Sequence, residues 1–188
     1  MGMLTRAIGM SAGTAVLNIS GALHGGTAPV RPAGFLGIDG CLHGWCVVQW
    51  DGAPDSTPTA SIVDDIAELD VSRIILAGID IPIGFPEMIS QGGREADRAA
   101  RNFIGRKGSS VFPAPCRAAL GARTQAEAGD INASHSIGAP IRINAVTYAI
   151  LAKMKQADDF MSPSIQEKLV EIHPEVSFAV MNGGTPVM

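Results

Sequence analysis

At 188 residues, with 46% apolar and 17% charged side chains, the chain has the material for one domain with its own core and room for a loose tail. A formal net charge of −4 excludes a broadly basic nucleic-acid coat. The three cysteines (Cys41, Cys46 and Cys116) are an odd number without a CxxC pair, which points to a reduced, cytoplasmic protein rather than a disulfide scaffold, and no apolar run is long enough to cross a bilayer.

Residues 1–33 show neither helical nor strand periodicity, and "GGTAPVRPAG" reads as a linker. The apolar centre of this segment is broken by Gly, Thr, Asn and Ser, with no clean cleavage pattern. A disordered or non-domain extension is therefore expected, rather than a signal peptide. The domain is expected over 34–188. "GFLGIDG" from Gly34 and "WCVVQW" (45–50) predict a strand hairpin, its "CLHG" loop slightly longer than the tightest kind. "DGAPDSTPT" makes a turn, "ASIV" a short third strand, and Asp64 is placed to cap a short helix in "DDIAEL".

Ile74 to Ile81 is apolar on both faces, as expected of a central strand covered on each side. "GREADRAARNFIG" predicts a helix with Ala96, Ala100 and Phe103 on one face, Arg94, Arg98 and Arg101 on another, and Gly105 at its end. The two prolines of "GSSVFPAPC" exclude helix there. A second helix is expected over about Ile143 to Asp158, with Val146, Ile150 and Met154 in register. A last strand, Leu169 to His173, is stopped by Pro174. Hairpin and helix-separated strands together imply a mixed α/β sheet.

Two of these strands end in Gly-Ile-Asp, at Asp39 and Asp80. A buried lone carboxylate is costly, so each aspartate caps a turn, meets a cation or reaches solvent. Carboxylates converging from strand ends of an α/β sheet are also the ligands a hard divalent cation needs. Near the last strand, Glu171, His173 and Glu175 offer a third contribution. Half of the fourteen Lys and Arg fall between Arg94 and Arg123, opposed there only by Glu95 and Asp97. This local cationic segment suits either a solvated helix face or an anion. Arg106, Lys107, Ser109 and Ser110 have the chemistry of a phosphate cradle, without the spacing of a P-loop. Cys41, His43 and Cys46 are better explained by a hairpin turn than by a soft-metal site.

"GIDGCLHGW", "GIDIPIGFP", "READRAARNFIGRKGSSVFPAPCRAAL" and "VEIHPEVSFAVMNGG", in that order, resemble domain-of-unknown-function family 429, described as predicted RNase H-like nucleases. The resemblance spans about Gly34 to Met188. It implies an RNase H-like fold: a mixed five-stranded sheet flanked by helices. Asp39 on the first strand and Asp80 at the end of the fourth match that superfamily's acids, with Glu175 as the expected third group and Glu171 and His173 behind it. The family pattern continues past "MNGG" into a helix bearing further acids, so a missing C-terminal helix, doubtful activity and exposed apolar surface are expected of this chain.

The implied function is divalent-metal-dependent phosphodiester hydrolysis. Asp39, Asp80 and Glu175 would serve as catalytic and metal-holding groups for Mg²⁺ or Mn²⁺. Arg94, Arg98, Arg106, Ser109 and Ser110 would hold the phosphates of a nucleic acid or nucleotide. A non-catalytic nucleotide- or nucleic-acid-binding module is the alternative, since related folds position Mg·phosphate without cutting strands. An assembly protein whose arginine face meets an acidic partner is a third. Aromatic residues make up only 5% of the chain, which disfavours a base-stacking platform.

Overall fold

The computed structural model describes residues 34–186, so the expectation for 1–33 lies outside the described residues. β1 (Phe35–Cys41) and β2 (Gly44–Trp50) form the expected hairpin, and β3 (Thr59–Val63) extends it antiparallel. β4 (Leu76–Ile79) and β5 (Leu169–Glu171) lie parallel to β1 on its other side. The result is a mixed five-stranded sheet in the order β3-β2-β1-β4-β5, flanked by helices and compatible with an RNase H-like fold.

Several local expectations are corrected. The hairpin loop is only Leu42–His43, because Cys41 pairs with Gly44 across the register. Asp65, not Asp64, caps the short 3₁₀ turn Ile66–Glu68: its Oδ1 accepts from Ala67 N at 3.0 Å, and Glu68 accepts from Asp65 N in return. α1 (Glu95–Ile104) forms where expected but buries Asp97 and Ile104, while Phe103 is 43% exposed. "GSS" belongs to a 3₁₀ turn, Gly105–Ser110; the prolines bar regular structure only from Val111 onward.

α2 (Gln125–Ser134) has no counterpart among the expected elements. The helix expected over 143–158 is two, α3 (Ala145–Ala149) and α4 (Leu151–Phe160), broken at Ile150. α5 (Pro163–Gln166) precedes β5, which stops at Glu171 rather than His173. Pro174 then starts α6 (Pro174–Met181) at the first helical position, where its missing N–H costs nothing.

Alternation along the strands divides the sheet into two unequal faces. Leu36, Ile38, Trp45, Val47, Ala77, Ile79 and Leu169 point to one side and are buried against Ile66, Leu151, Met154 and Ala157. Trp45 is fixed there by its Nε1, which donates to Gln156 Oε1 at 3.0 Å, and by Lys153, whose Nζ sits 4.7 Å from the ring centroid. The opposite face carries Phe35, Gly37, Asp39 and Cys41 on β1, Cys46, Val48 and Trp50 on β2, and Gly78 and Asp80 beside them. None of these is fully buried. A separate small core of Ile104, Val111 and Ala179 joins α1 to α6.

Met154 is fully buried beneath Trp45's layer, so Met154→Ala should lower unfolding free energy by about 2–5 kcal/mol in a urea titration, with the slope unchanged.

Candidate functional site

The two aspartates meet because their strands are parallel neighbours. Ile38 pairs with Ile79, so the next position on each strand is Asp39 and Asp80, on the same, more open face. Asp80 N donates to Ile38 O at 2.9 Å, extending the pairing by one residue. The Asp80 carboxyl is pushed above its ordinary value, first by burial and then by the charges of Asp39 and Glu171, with His173 opposing them. Gly37 and Gly78, paired in register just before the aspartates, keep the floor beside them low, although Ile172 leans over Gly78.

The chemistry of this pair fits a hard divalent cation. Two carboxylates are in electrostatic contact and, among the described residues, no arginine or lysine is bonded to either, so like-charge repulsion is what a cation there would relieve. Among the described residues, however, no group of three or more His, Cys, Asp or Glu side chains is placed to hold a metal ion. The pair does not come with a preassembled third ligand.

The three candidates for that third position have different fates. Glu171 falls on the other parity of β5: Arg94 Nη2 donates to its Oε1 at 2.7 Å, and Arg94 Nη1 and Ile83 N donate to Oε2 at 2.8 and 2.9 Å. Glu175, in the first turn of α6, pairs with Lys107 Nζ at 3.0 Å. His173 Nε2 lies 3.3 Å from Ser110 O, to which it can donate, and its Nδ1 is buried with no hydrogen-bond partner among the described residues. A neutral ring donating from Nε2 carries its free lone pair on Nδ1.

The expected phosphate binders divide similarly. Arg94 is 11% exposed and clamps both Glu171 and Asp97, the latter 2% exposed, and also donates to Ile83 O. Burial works against its charge, but the bonds to Glu171 and Asp97 more than offset that, so it holds its proton more firmly than an ordinary arginine. Arg98 Nη1 donates to Gly93 O, and Ser110 Oγ to Lys107 O. Arg106 and Ser109 are exposed and make no hydrogen bond or ion pair among the described residues. Sequence reasoning missed Asp97, whose Oδ2 accepts from Arg94 N at 2.8 Å and from Ala114 N at 3.1 Å. Its position three residues into a helix, behind an arginine, was the available signal.

Cys46 sits directly across from Asp39 in the β1–β2 register, and its thiol is pushed up by burial and then by Cys41 and Asp39. No disulfide joins the three cysteines. Among the described residues, no helix is long and apolar enough to cross a membrane.

Comparison with known proteins adds one finding. The sequence profile of the family described as "Protein of unknown function (DUF429)" matches residues 37–188. The chain belongs to that family. Neither the curated proteins nor the solved structures returned a match. The DUF429 match takes in both aspartates, the Arg94 clamp and the whole of β5 and α6.

Two outcomes follow for stability. Arg94→Met strands Asp97 and Glu171 and should cost about 3–5 kcal/mol in chemical denaturation, whereas Arg106→Ala should stay within about 0.5 kcal/mol of the parent. Asp80→Asn should raise Tm at neutral pH. Because the folded-state pKa of Asp80 is raised above the ordinary 3.8, its penalty is fully present at pH values above the raised value. The penalty fades as pH falls through that value and is gone below 3.8, so the gain in Tm should vanish on acidification.

Proposed function

We propose that the chain is a divalent-metal-dependent phosphodiesterase acting on nucleic-acid or nucleotide phosphates, as the family resemblance implies. The observation that carries this reading is the adjacent Asp39 and Asp80 pair: same face, successive register, mutually repelling, and without a lysine or arginine partner among the described residues. Asp39 and Asp80 would hold Mg²⁺ or Mn²⁺. When bound, such a cation supplies an activated water and charge neutralisation at the leaving oxygen.

The chain's own residues do the rest. Glu171 is held by Arg94 on the far side of β5, and its bond to Ile83 N fixes the segment that follows Asp80. That arrangement keeps the Asp80 carboxylate in place without neutralising it. His173 is the better third group than Glu175, because its Nδ1 lone pair is unclaimed while Glu175 is spent on Lys107. An imidazole suits Mn²⁺ better than Mg²⁺. Arg106 and Ser109 retain unused donors for phosphate oxygens; Arg94 acts through position rather than contact.

A second reading, a phosphate-binding module without hydrolysis, is favoured by one observation: among the described residues, no third metal ligand is gathered beside the aspartates. Calorimetry with Mn²⁺ separates it from binding at an assembled centre. The parent should bind saturably, Asp39→Asn and Asp80→Asn should each lose binding with unchanged circular dichroism, and His173→Gln should weaken it. Cleavage of a panel of DNA, RNA and hybrid substrates should then require Mn²⁺ and Asp39. Binding that survives in both aspartate variants would overturn the site; metal binding without any cleavage would leave the module.

A further inference from the structure

A cavity of about 370 Å³ opens between the loop after β4, the Pro113–Pro115 segment and the residues leading into α3. None of the candidate carboxylates lines it, and no Asp or Glu does. Its charged lining is instead the two arginines Arg101 and Arg142, joined by neutral side chains that include Asn144. Arg101, on α1, spends Nε on Val111 O at 3.0 Å and Nη1 on Gly92 O at 2.5 Å. It forms no ion pair among the described residues, and its Nη2 makes no hydrogen bond there. Arg142 enters from another segment and lies over Gly129, where a Cβ would come within 3.4 Å of its Nε. One of its nitrogens pairs with Asp130 at 2.6 Å, a residue outside the lining. Asn144 accepts from Thr147 N through Oδ1 at 2.8 Å, and its amide N–H₂ makes no hydrogen bond among the described residues.

The walls are held rigidly. Asn132, 2% exposed, accepts from Cys116 N at 2.8 Å and donates to Ile141 O at 2.9 Å, tying two walls together. Gly93 has φ +81, and a Cβ there would lie 2.4 Å from Asp97 Oδ2 and 2.7 Å from Pro113 Cβ. The loop can close this wall only as glycine. Ile89, Pro113 and Ile143 supply apolar surface for the body of a ligand.

We propose that this cavity binds a compact organic phosphate, its apolar body against Pro113 and Ile143 and its phosphate among Arg101, Arg142 and Asn144. Cationic and neutral donors with no lining carboxylate select an anion. Arg101 comes from α1 and Arg142 and Asn144 from the segment leading into α3, so the several oxygens of a phosphate can be met from both. The assignment is independent of the metal reading, since neither Asp39 nor Asp80 lines the cavity.

The test is calorimetric titration of phenyl phosphate into the full chain in EDTA, with inorganic phosphate and benzoate as comparisons. Saturable binding is expected, weaker by about tenfold in Arg101→Lys and severalfold in Arg142→Ala, and tighter in Asp130→Asn, which releases Arg142. Asp39→Asn should bind as the parent does. Circular dichroism checks each variant; Arg142 is 59% exposed, so its removal leaves the fold intact. No saturable binding at millimolar ligand, or equal binding by folded Arg142→Ala, overturns the proposal. Loss of binding in Asp39→Asn moves the ligand to the carboxylate pair and overturns it too. Benzoate binding as tightly as phenyl phosphate overturns the phosphate assignment.

Discussion

One guanidinium ties together the segment that follows β4, the end of β5 and the start of α1. Arg94 reaches Asp97 on its own helix, the backbone of Ile83 after β4, and Glu171 at the end of β5, a residue 77 positions away. Asp97, held by Arg94, in turn accepts from Ala114 N, so the same charge also secures the Pro113–Pro115 wall. Taking Arg94 and Asp97 this far from water is costly, and the arrangement persists because nearly every lone pair and proton of the two is matched, with the more exposed Glu171 completing the set. The segment after Asp80 and the wall of the cavity are therefore positioned by a common anchor.

This anchor changes the meaning of the cationic segment. By sequence, the bases between Arg94 and Arg123 form a positive face. In the folded chain, Arg94, Arg98 and Arg101 turn toward main-chain oxygens or carboxylates, and Arg117 spans Glu87, Asp158 and Phe85 O. Arginine serves here as a multivalent donor that closes loops lacking regular structure, where backbone carbonyls would otherwise go unpaired. Among the described residues, the Asp39 and Asp80 pair on the sheet has no basic residue bonded to it.

The fold was largely legible because its strands carry unambiguous signals: alternating "FLGID", β-rich "WCVVQW" and doubly apolar "IILAGIDI". The adjacency of Asp39 and Asp80 was legible through the repeated Gly-Ile-Asp and the resemblance. What stayed hidden lacks hydrophobic contrast. α2 buries Ala128, Gly129 and Asn132, none of which marks an apolar stripe. The buried face of α1 includes a carboxylate, Asp97, while Phe103 on the apolar face is 43% exposed, so spacing alone does not mark which side of the helix packs. The engagement of Glu171 and Glu175 depends on partners 77 and 68 residues away, which no local window contains.

The placement of Cys46 has a chemical consequence. Opposite Asp39 and beside Cys41, its thiol keeps its proton to higher pH than a free cysteine, so little of it is the nucleophilic thiolate at neutrality. Its alkylation should be slow, and slower still while the neighbouring carboxylate is charged. A cation drawn to the aspartates would cancel part of that field and quicken the reaction. The sheet thus carries, one strand over from Asp39, a thiol whose proton is held first by burial and then by the charges of Cys41 and Asp39.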